Sequence, residues 1–143
     1  MIYLKTDEEI ELLRESNLLV GQTLGELAKW VAPGVTTLQL DRIAEEFIRD
    51  HQAVPGFLGY AGYPNTLCVS VNEQIVHGIP SDYTLKEGDI VSIDCGVVKN
   101  GFNGDSAYTF EVGIKGTSGK SCCASDYRTA CAQNHERGSL FRH

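Results

Sequence analysis

The sequence is poor in the features of membrane, secreted and nucleic-acid-binding proteins. It has no run of about 18 apolar residues, so we expect no membrane-spanning helix. Its N-terminus lacks the charged and then apolar segments of a signal peptide. Lys and Arg number 12 against 19 Asp and Glu, and the net charge of −7 argues against a nucleic-acid backbone as partner. The 143 residues, 42% of them hydrophobic, suit one soluble globular domain.

Regular cysteine spacing is also missing. The five cysteines are odd in number, and without a secretory signal we expect free thiols and a cytoplasmic location. Three of them, Cys122, Cys123 and Cys131, lie close together near the end of the chain. Cys122 and Cys123 are adjacent, which is too close for the spacing of a zinc-binding pair.

Two amphipathic helices are predicted in the first part of the chain. Residues 6–31 form the first, with Thr6 and Glu9 fitting a capping box at its start and Pro33-Gly34 ending it. Thr36 and Gln39 fit a second capping box. The residues predicted to be buried recur at helical spacing: Ile10, Leu13, Val20, Leu24, Leu27, Val31, Leu40, Ile43, Phe47 and Ile48. The second helix also has acidic residues that we expect to face solvent: Asp41, Glu45, Glu46 and Asp50.

An antiparallel hairpin is predicted further along. Residues 67–71 alternate like a half-buried strand, and residues 90–95 read as another strand. Asn100-Gly101 is a strong signal for a two-residue turn, and the return strand then runs to about residue 112. The fold class predicted from these elements is α+β.

This hairpin would bring two carboxylates together. A two-residue turn pairs Gly96 with Asp105 and Asp94 with Ala107, so both acids point to one face, as diagonal neighbours about 7–8 Å apart. Carboxylates directed at one point repel each other unless a proton or a cation lies between them. The pair therefore suggests a site for divalent metal. The alternative is that both acids simply occupy turn-rich sequence, where Asp is common.

Other candidates lie between the helices and the hairpin. His77 is a lone histidine in a loop rich in Gly and Pro, and it is either an ordinary loop residue or a group that contacts a substrate. Phe57, Tyr60, Tyr63 and Cys68 form either a packed cluster or the lining of an apolar pocket.

Several segments resemble type I methionine aminopeptidases, in the order and spacing of that family. They are Leu58-Gly-Tyr-Ala-Gly-Tyr-Pro64, Cys68-Val-Ser-Val-Asn-Glu73, Val76-His-Gly-Ile-Pro80, Glu87-Gly-Asp-Ile90, Ile93-Asp-Cys-Gly96 and Gly104-Asp-Ser-Ala-Tyr-Thr-Phe110. The resemblance covers residues 1 to about 115. It implies the pita-bread fold, an α+β architecture in which two related halves surround a curved antiparallel sheet.

The resemblance also implies roles for individual residues. Asp94 matches a bidentate metal ligand, and Asp105 matches the ligand that bridges two metal ions. His77 matches a catalytic histidine that contacts the substrate near the scissile bond. The positions around the methionine pocket are Tyr60, Tyr63, Cys68 and Phe57, the last standing where some relatives have cysteine. Asn72 and Gln74 match a loop that binds a monovalent cation through its backbone.

The implied activity is removal of the initiator methionine from nascent proteins, with two divalent ions (cobalt, manganese, iron or zinc) as cofactors. The implied partners are nascent peptides and the ribosome, without direct contact to nucleic acid or membrane, and the implied complete enzyme is a monomer. Two alternatives remain: a proline-specific aminopeptidase of the same fold, and a non-catalytic pita-bread module that binds a partner.

The end of the chain departs from the family. Residues 1–115 match the first half of the metallopeptidase domain, whereas residues 116–143 form an aberrant tail that we expect to be disordered. The resemblance places the remaining ligands, one histidine and two glutamates, in the second half, so we expect this chain to be inactive. A one-base shift in a permitted spelling of His135–His143 gives Thr-Lys-Glu-Ala-Leu-Tyr-Ser-Gly, which resembles the family helix. We therefore predict that the tail is a frameshifted translation.

Overall fold

The structure, a computed structural model, describes residues 4–113. Two helices precede a four-stranded antiparallel sheet, which confirms the predicted α+β class. In chain order the elements are α1 (Asp7–Leu27), α2 (Thr37–Asp50), β1 (Val54–Pro55), a 3-10 turn (Tyr60–Gly62), β2 (Leu67–Val71), β3 (Ile90–Lys99) and β4 (Phe102–Glu111). The predictions for residues 116–143 lie outside the described residues.

Helix α1 begins as predicted and ends earlier. The Thr6 hydroxyl accepts from the backbone amide of Glu9, and the Glu9 carboxylate accepts from that of Thr6, which completes the capping box. The predicted end at residue 31 is wrong. After Leu27 the amides of Lys29 and Trp30 bond three residues back, so the chain tightens into turns before Pro33. Ile10 is 44% exposed, contrary to expectation, because the buried face of α1 starts only at Ser16.

Helix α2 has the predicted capping box between Thr36 and Gln39 and buries Leu40 and Ile48 completely. One acidic residue of α2 that was predicted to face solvent is buried instead. Asp41 is only 5% exposed, because its carboxylate accepts hydrogen bonds from the segment that leads into β2. Its spacing to Thr37, Ala44 and Ile48, which are also buried, places this acid on the inner face of the helix.

Strand β3 is the centre of the sheet. β4 pairs with one edge of it, and β2 and the short β1 pair with successive parts of the other edge. The predicted hairpin register is confirmed, since Gly96 pairs with Asp105 and Asp94 with Ala107. Asn100 and Gly101 both have positive φ, 53° and 79°, as a two-residue hairpin turn requires. β3 extends to residue 99, four residues past the predicted end.

The hydrophobic core lies between the two helices and one face of the sheet, where Val20, Leu27, Leu40, Val91 and Ile93 are fully buried. The other face carries Asp94 and Asp105.

β2 was predicted to be half-buried, but all of its residues are buried. The loop that follows β2 lies along the edge of the strand that does not pair with β3. The amide of Val69 donates to the Gly78 carbonyl (2.8 Å), and the amide of Gly78 donates to the Ser70 hydroxyl (3.1 Å). A Cβ at Gly78 would lie 2.1 Å from the Val69 carbonyl oxygen, so only glycine allows this approach. Within residues 4–113, no helix is long and apolar enough to cross a membrane.

Candidate metal centre

Asp94 and Asp105 lie on the same face of the sheet and on neighbouring strands, as diagonal neighbours, because Asp105 pairs with Gly96, two residues after Asp94. Asp94 is half-buried and Asp105 is exposed. Burial raises the pKa of Asp94 to about 7, and the negative charge of Asp105 and a hydrogen bond between the two side chains act in the same direction. The two carboxyl groups thus meet at one point, where they need a shared proton or a cation between them.

Cys68 lies beside this pair, because it is the register partner of Asp94 on β2. Burial raises the pKa of its thiol; a hydrogen bond with Tyr63 opposes this, and the charges of Asp94 and Asp105 add to it. The thiol is therefore held neutral next to the carboxylates. Cys95 follows Asp94 in β3 but points to the core, and burial raises its pKa to about 12.

The ring of Phe57 reaches the same face of the sheet. A Cβ built on Gly96 would lie 2.6 Å from Phe57 Cε1, so the ring lies directly over this glycine. The amide of Gly56 donates to the Gly96 carbonyl (2.8 Å), which fixes the backbone just before the ring. The sequence placed Gly96 opposite Asp105 but did not predict that an aromatic ring lies over it. A glycine two residues after Asp94, on the same face of the strand, could have indicated such a close contact.

Of the predicted pocket tyrosines, one is brought into the site. The Tyr63 hydroxyl donates to the carbonyls of Leu67 (2.9 Å) and Gly78 (3.3 Å), and burial raises its pKa. Tyr63 therefore lies between the start of β2 and the loop over it, close to Cys68. Tyr60, in the 3-10 turn, is 76% exposed, and its backbone bonds to the backbones of Phe57 and Tyr63.

His77 is exposed on the loop that covers β2. It has positive φ (56°), as does Val76 (42°), and the anchored Gly78 follows it directly. Two non-glycine residues in the left-handed region are costly, so the surrounding loop must hold this conformation. The structure thus places His77 next to β2 but shows no contact between its ring and either carboxylate among the described residues.

The two predicted cation-loop residues use their side chains to shape the loop. Asn72 donates to Asp89 (3.0 Å) and accepts from the Ile90 amide (3.0 Å), while Gln74 accepts from the Val71 amide (2.9 Å). Both residues line a cavity of about 200 Å³. The side-chain oxygens of both residues thus accept hydrogen bonds from backbone amides.

The carboxylates of Asp94 and Asp105 suit a divalent metal, but two residues are fewer than a metal site in a protein usually has. Carboxylate oxygens are the ligands that hard divalent ions prefer, and an ion between Asp94 and Asp105 would offset their repulsion. No cluster of three or more His, Cys, Asp or Glu residues suited to a metal is present in the described part of the chain. Asp94 and Asp105 are the two candidate ligands that the described residues bring together on this face.

Comparison with known proteins identifies the wider group. The model of metallopeptidase family M24 matches residues 11–137, and so extends into the segment for which the sequence predicts a frameshift. The chain is 57% identical over 113 residues to a methionine aminopeptidase of Clostridium perfringens, covering 79% of this chain and 45% of that protein. It thus spans less than half the length of this curated relative.

Solved structures agree on the fold. A methionine aminopeptidase from Rickettsia prowazekii superposes with a TM-score of 0.78 at 38% identity, covering 80% of this chain and 46% of the other. An Xaa-Pro dipeptidase from Bacillus anthracis, at 24% identity and a TM-score of 0.64 over 80% of this chain and 31% of the other, shares the fold alone. The expected pita-bread architecture is confirmed. The chain belongs to metallopeptidase family M24.

Proposed function

We propose that this chain carries part of a methionine aminopeptidase, an exopeptidase that removes an N-terminal methionine by metal-dependent hydrolysis. The observation that carries the proposal is the Asp94–Asp105 pair, two facing carboxylates on an open sheet face in a chain of a metallopeptidase family. The 57% identity to a methionine aminopeptidase supports this substrate over proline-containing peptides, for which the likeness is one of fold alone.

Asp94 and Asp105 would hold two divalent ions, of cobalt, manganese, iron or zinc. Bound divalent ions supply Lewis-acid chemistry: they lower the pKa of water and polarise a carbonyl group. The half-buried position of Asp94 favours this role, because a low local dielectric strengthens the attraction between a carboxylate and a cation.

The methionine side chain would bind beside this pair. Phe57, Tyr63 and Cys68 offer an aromatic ring, a fixed hydroxyl and a neutral thiol, a largely apolar set that suits a thioether. Tyr60 joins them only if its exposed ring closes over the ligand. His77 would hydrogen-bond the substrate near the scissile bond, and Asn72 and Gln74 would hold a monovalent cation through backbone carbonyls.

The cellular setting follows from this substrate. Nascent peptides that begin with methionine are the proposed partners, met at the ribosome by a cytoplasmic monomer. We propose no partner among nucleic acids or membranes, in line with the excess of acidic residues.

The assignments for the rest of the chain are proposals of the same kind. We propose residues 1–115 as the first half of the catalytic domain and residues 116–143 as a frameshifted tail. Aminopeptidase sequence in the neighbouring frame of the gene would support the tail assignment, and its absence there would refute it. Since residues 4–113 hold no cluster of three or more His, Cys, Asp or Glu residues suited to a metal, we expect the 143-residue polypeptide to hydrolyse Met-Ala-Ser very slowly.

A chimera tests the function directly. Residues 1–113 are joined to the part of the C. perfringens relative that this chain does not match, and the product is assayed with Met-Ala-Ser and Ala-Pro-Ser. We expect hydrolysis of Met-Ala-Ser that a chelator blocks and that the substitutions Asp94→Asn and Asp105→Asn abolish. Cleavage of Ala-Pro-Ser instead, or activity that survives both substitutions, would refute the proposal.

A further inference from the structure

Asp41 is a buried carboxylate outside the candidate metal centre. It lies on α2, is 5% exposed, and forms no ion pair within residues 4–113. Burial raises its pKa, while hydrogen bonds from Asn65 and two backbone amides oppose that rise. Burying a carboxylate is costly unless its oxygens are hydrogen-bonded, so these contacts must offset a large desolvation penalty.

Within residues 4–113, the side-chain hydrogen bonds of Asp41 all go to one short segment. Oδ1 accepts from the amides of Thr66 (3.0 Å) and Leu67 (2.8 Å), and Oδ2 accepts from the Asn65 side chain (2.9 Å). These three consecutive residues lead into β2. Asp41 therefore fixes the point at which the loop that starts at Phe57 enters the sheet.

Leu67 connects this anchor to the pocket. Its amide donates to Asp41, its carbonyl accepts from the Tyr63 hydroxyl (2.9 Å), and Cys68 follows it in the chain. The other end of the loop is held by the bond from Gly56 to Gly96. The loop is thus tied at both ends, once to the sheet beside Asp94 and once to α2 through Asp41.

We propose that Asp41 is a positioning residue for the methionine pocket: by holding the amides of Thr66 and Leu67 it sets the places of Tyr63 and Cys68 beside Asp94. This inference rests on the proposed function, since it assumes that the pocket receives an N-terminal methionine. Asp41 does not touch the substrate. It acts by reducing the conformational freedom that the loop would otherwise lose on binding.

The test uses the 143-residue chain and three variants on the same helix. Asp41→Ala removes both acceptors, Asp41→Asn keeps one oxygen for the two amides, and Thr37→Val is the matched control. Thr37 is 2% exposed and lies one turn before Asp41 on the same buried face of α2, but its hydroxyl bonds to the backbone of Ser81, outside the pocket loop. Thermal unfolding of each variant sets a temperature at which all of them are folded.

Two measurements are made at the temperature at which all variants are folded: hydrogen exchange of the backbone amides, and binding of L-methionine by NMR titration. We expect Asp41→Ala to speed exchange at Thr66 and Leu67 by at least about tenfold, the loss of one hydrogen bond to a charged group, without changing exchange at Ile93. We expect its Kd for L-methionine to rise by about tenfold, from the renewed freedom of two pocket side chains. Asp41→Asn should recover most of both effects, and Thr37→Val should show neither.

The outcomes separate this inference from the proposed function. If the unsubstituted chain binds L-methionine and Asp41→Ala binds it equally well, the positioning role is refuted and the pocket stands. If weakened binding follows the loss of thermal stability in all variants, Thr37→Val included, Asp41 is only a structural residue and the inference fails. If the unsubstituted chain binds no L-methionine, the assignment of the methionine pocket is refuted, and so is the positioning role of Asp41, which depends on that pocket.

Discussion

Replacing Asp94 by Asn tests the electrostatic account of the site, because it removes one of two facing carboxylates with little change in side-chain shape. Burial, and then the charge of Asp105, raise the pKa of Asp94 from its usual 3.8 to about 7. An acid with a higher pKa in the folded state than in the unfolded state holds its proton more readily when folded. It therefore destabilises the fold once the pH rises above the unfolded-state pKa.

The magnitude follows from the two pKa values. Between pH 3.8 and about 7 the folded chain binds more protons than the unfolded chain, so the free energy of unfolding falls by about 1.4 kcal/mol per pH unit. This amounts to about 4 kcal/mol over the interval, and solvent around the half-buried group reduces it to about 2–4 kcal/mol. Asp41 also has a raised pKa, but it is present in both proteins and cancels in the comparison.

The assay is urea unfolding in EDTA across this pH range, followed by circular dichroism. We expect Asp94→Asn to be more stable than the unsubstituted chain by about 2–4 kcal/mol at about pH 8, with the difference vanishing below about pH 4. Asp82→Asn, which removes an exposed acid, is the charge-matched control and should show no such trend. A variant that is no more stable at high pH, or whose gain is the same at every pH, would show that Asp94 does not have a raised pKa in the folded chain.

Further predictions concern the close contacts around the site. Gly96→Ala should lower the free energy of unfolding by about 1–3 kcal/mol, because the new Cβ overlaps the Phe57 ring, and the cost should disappear in a Phe57→Ala background. Gly78→Ala should cost about 3 kcal/mol or more, because its Cβ meets rigid backbone, whereas Gly21→Ala in α1, with open space around it, should stabilise by about 0.5–1 kcal/mol. Tyr63→Phe should cost about 1 kcal/mol through lost hydrogen bonds. Urea unfolding measures all four.

The sequence predicted those parts of the structure that local rules govern. Two capping boxes started the helices at the right residues, and the turn at Asn100-Gly101 fixed the hairpin register. That register alone places Asp94 and Asp105 on one face. Side chains alternate between the two faces of a strand, and a two-residue turn fixes which residues pair, so the two rules together determine on which face each acid lies.

The remainder depends on contacts between distant segments, which periodicity does not encode. Asp41 was predicted to be solvated together with the other acidic residues of its helix, yet it shares the buried face of Thr37, Ala44 and Ile48, and residues 65–67 cover it. β2 alternates like a half-buried strand, yet the loop at Gly78 covers its second side. In both cases a loop supplies the burial, and the path of a loop is set by tertiary packing.

A manganese titration is the most direct test of the central claim, that Asp94 and Asp105 hold a divalent metal. Free Mn²⁺ is followed by electron paramagnetic resonance at about pH 8, where the Asp94 carboxyl is ionised. We expect the unsubstituted chain and the exposed-site control Asp82→Asn to bind the ion alike, and Asp94→Asn and Asp105→Asn each to weaken binding by at least about tenfold. Equal Mn²⁺ affinity in all four proteins would show that Asp94 and Asp105 do not hold the ion.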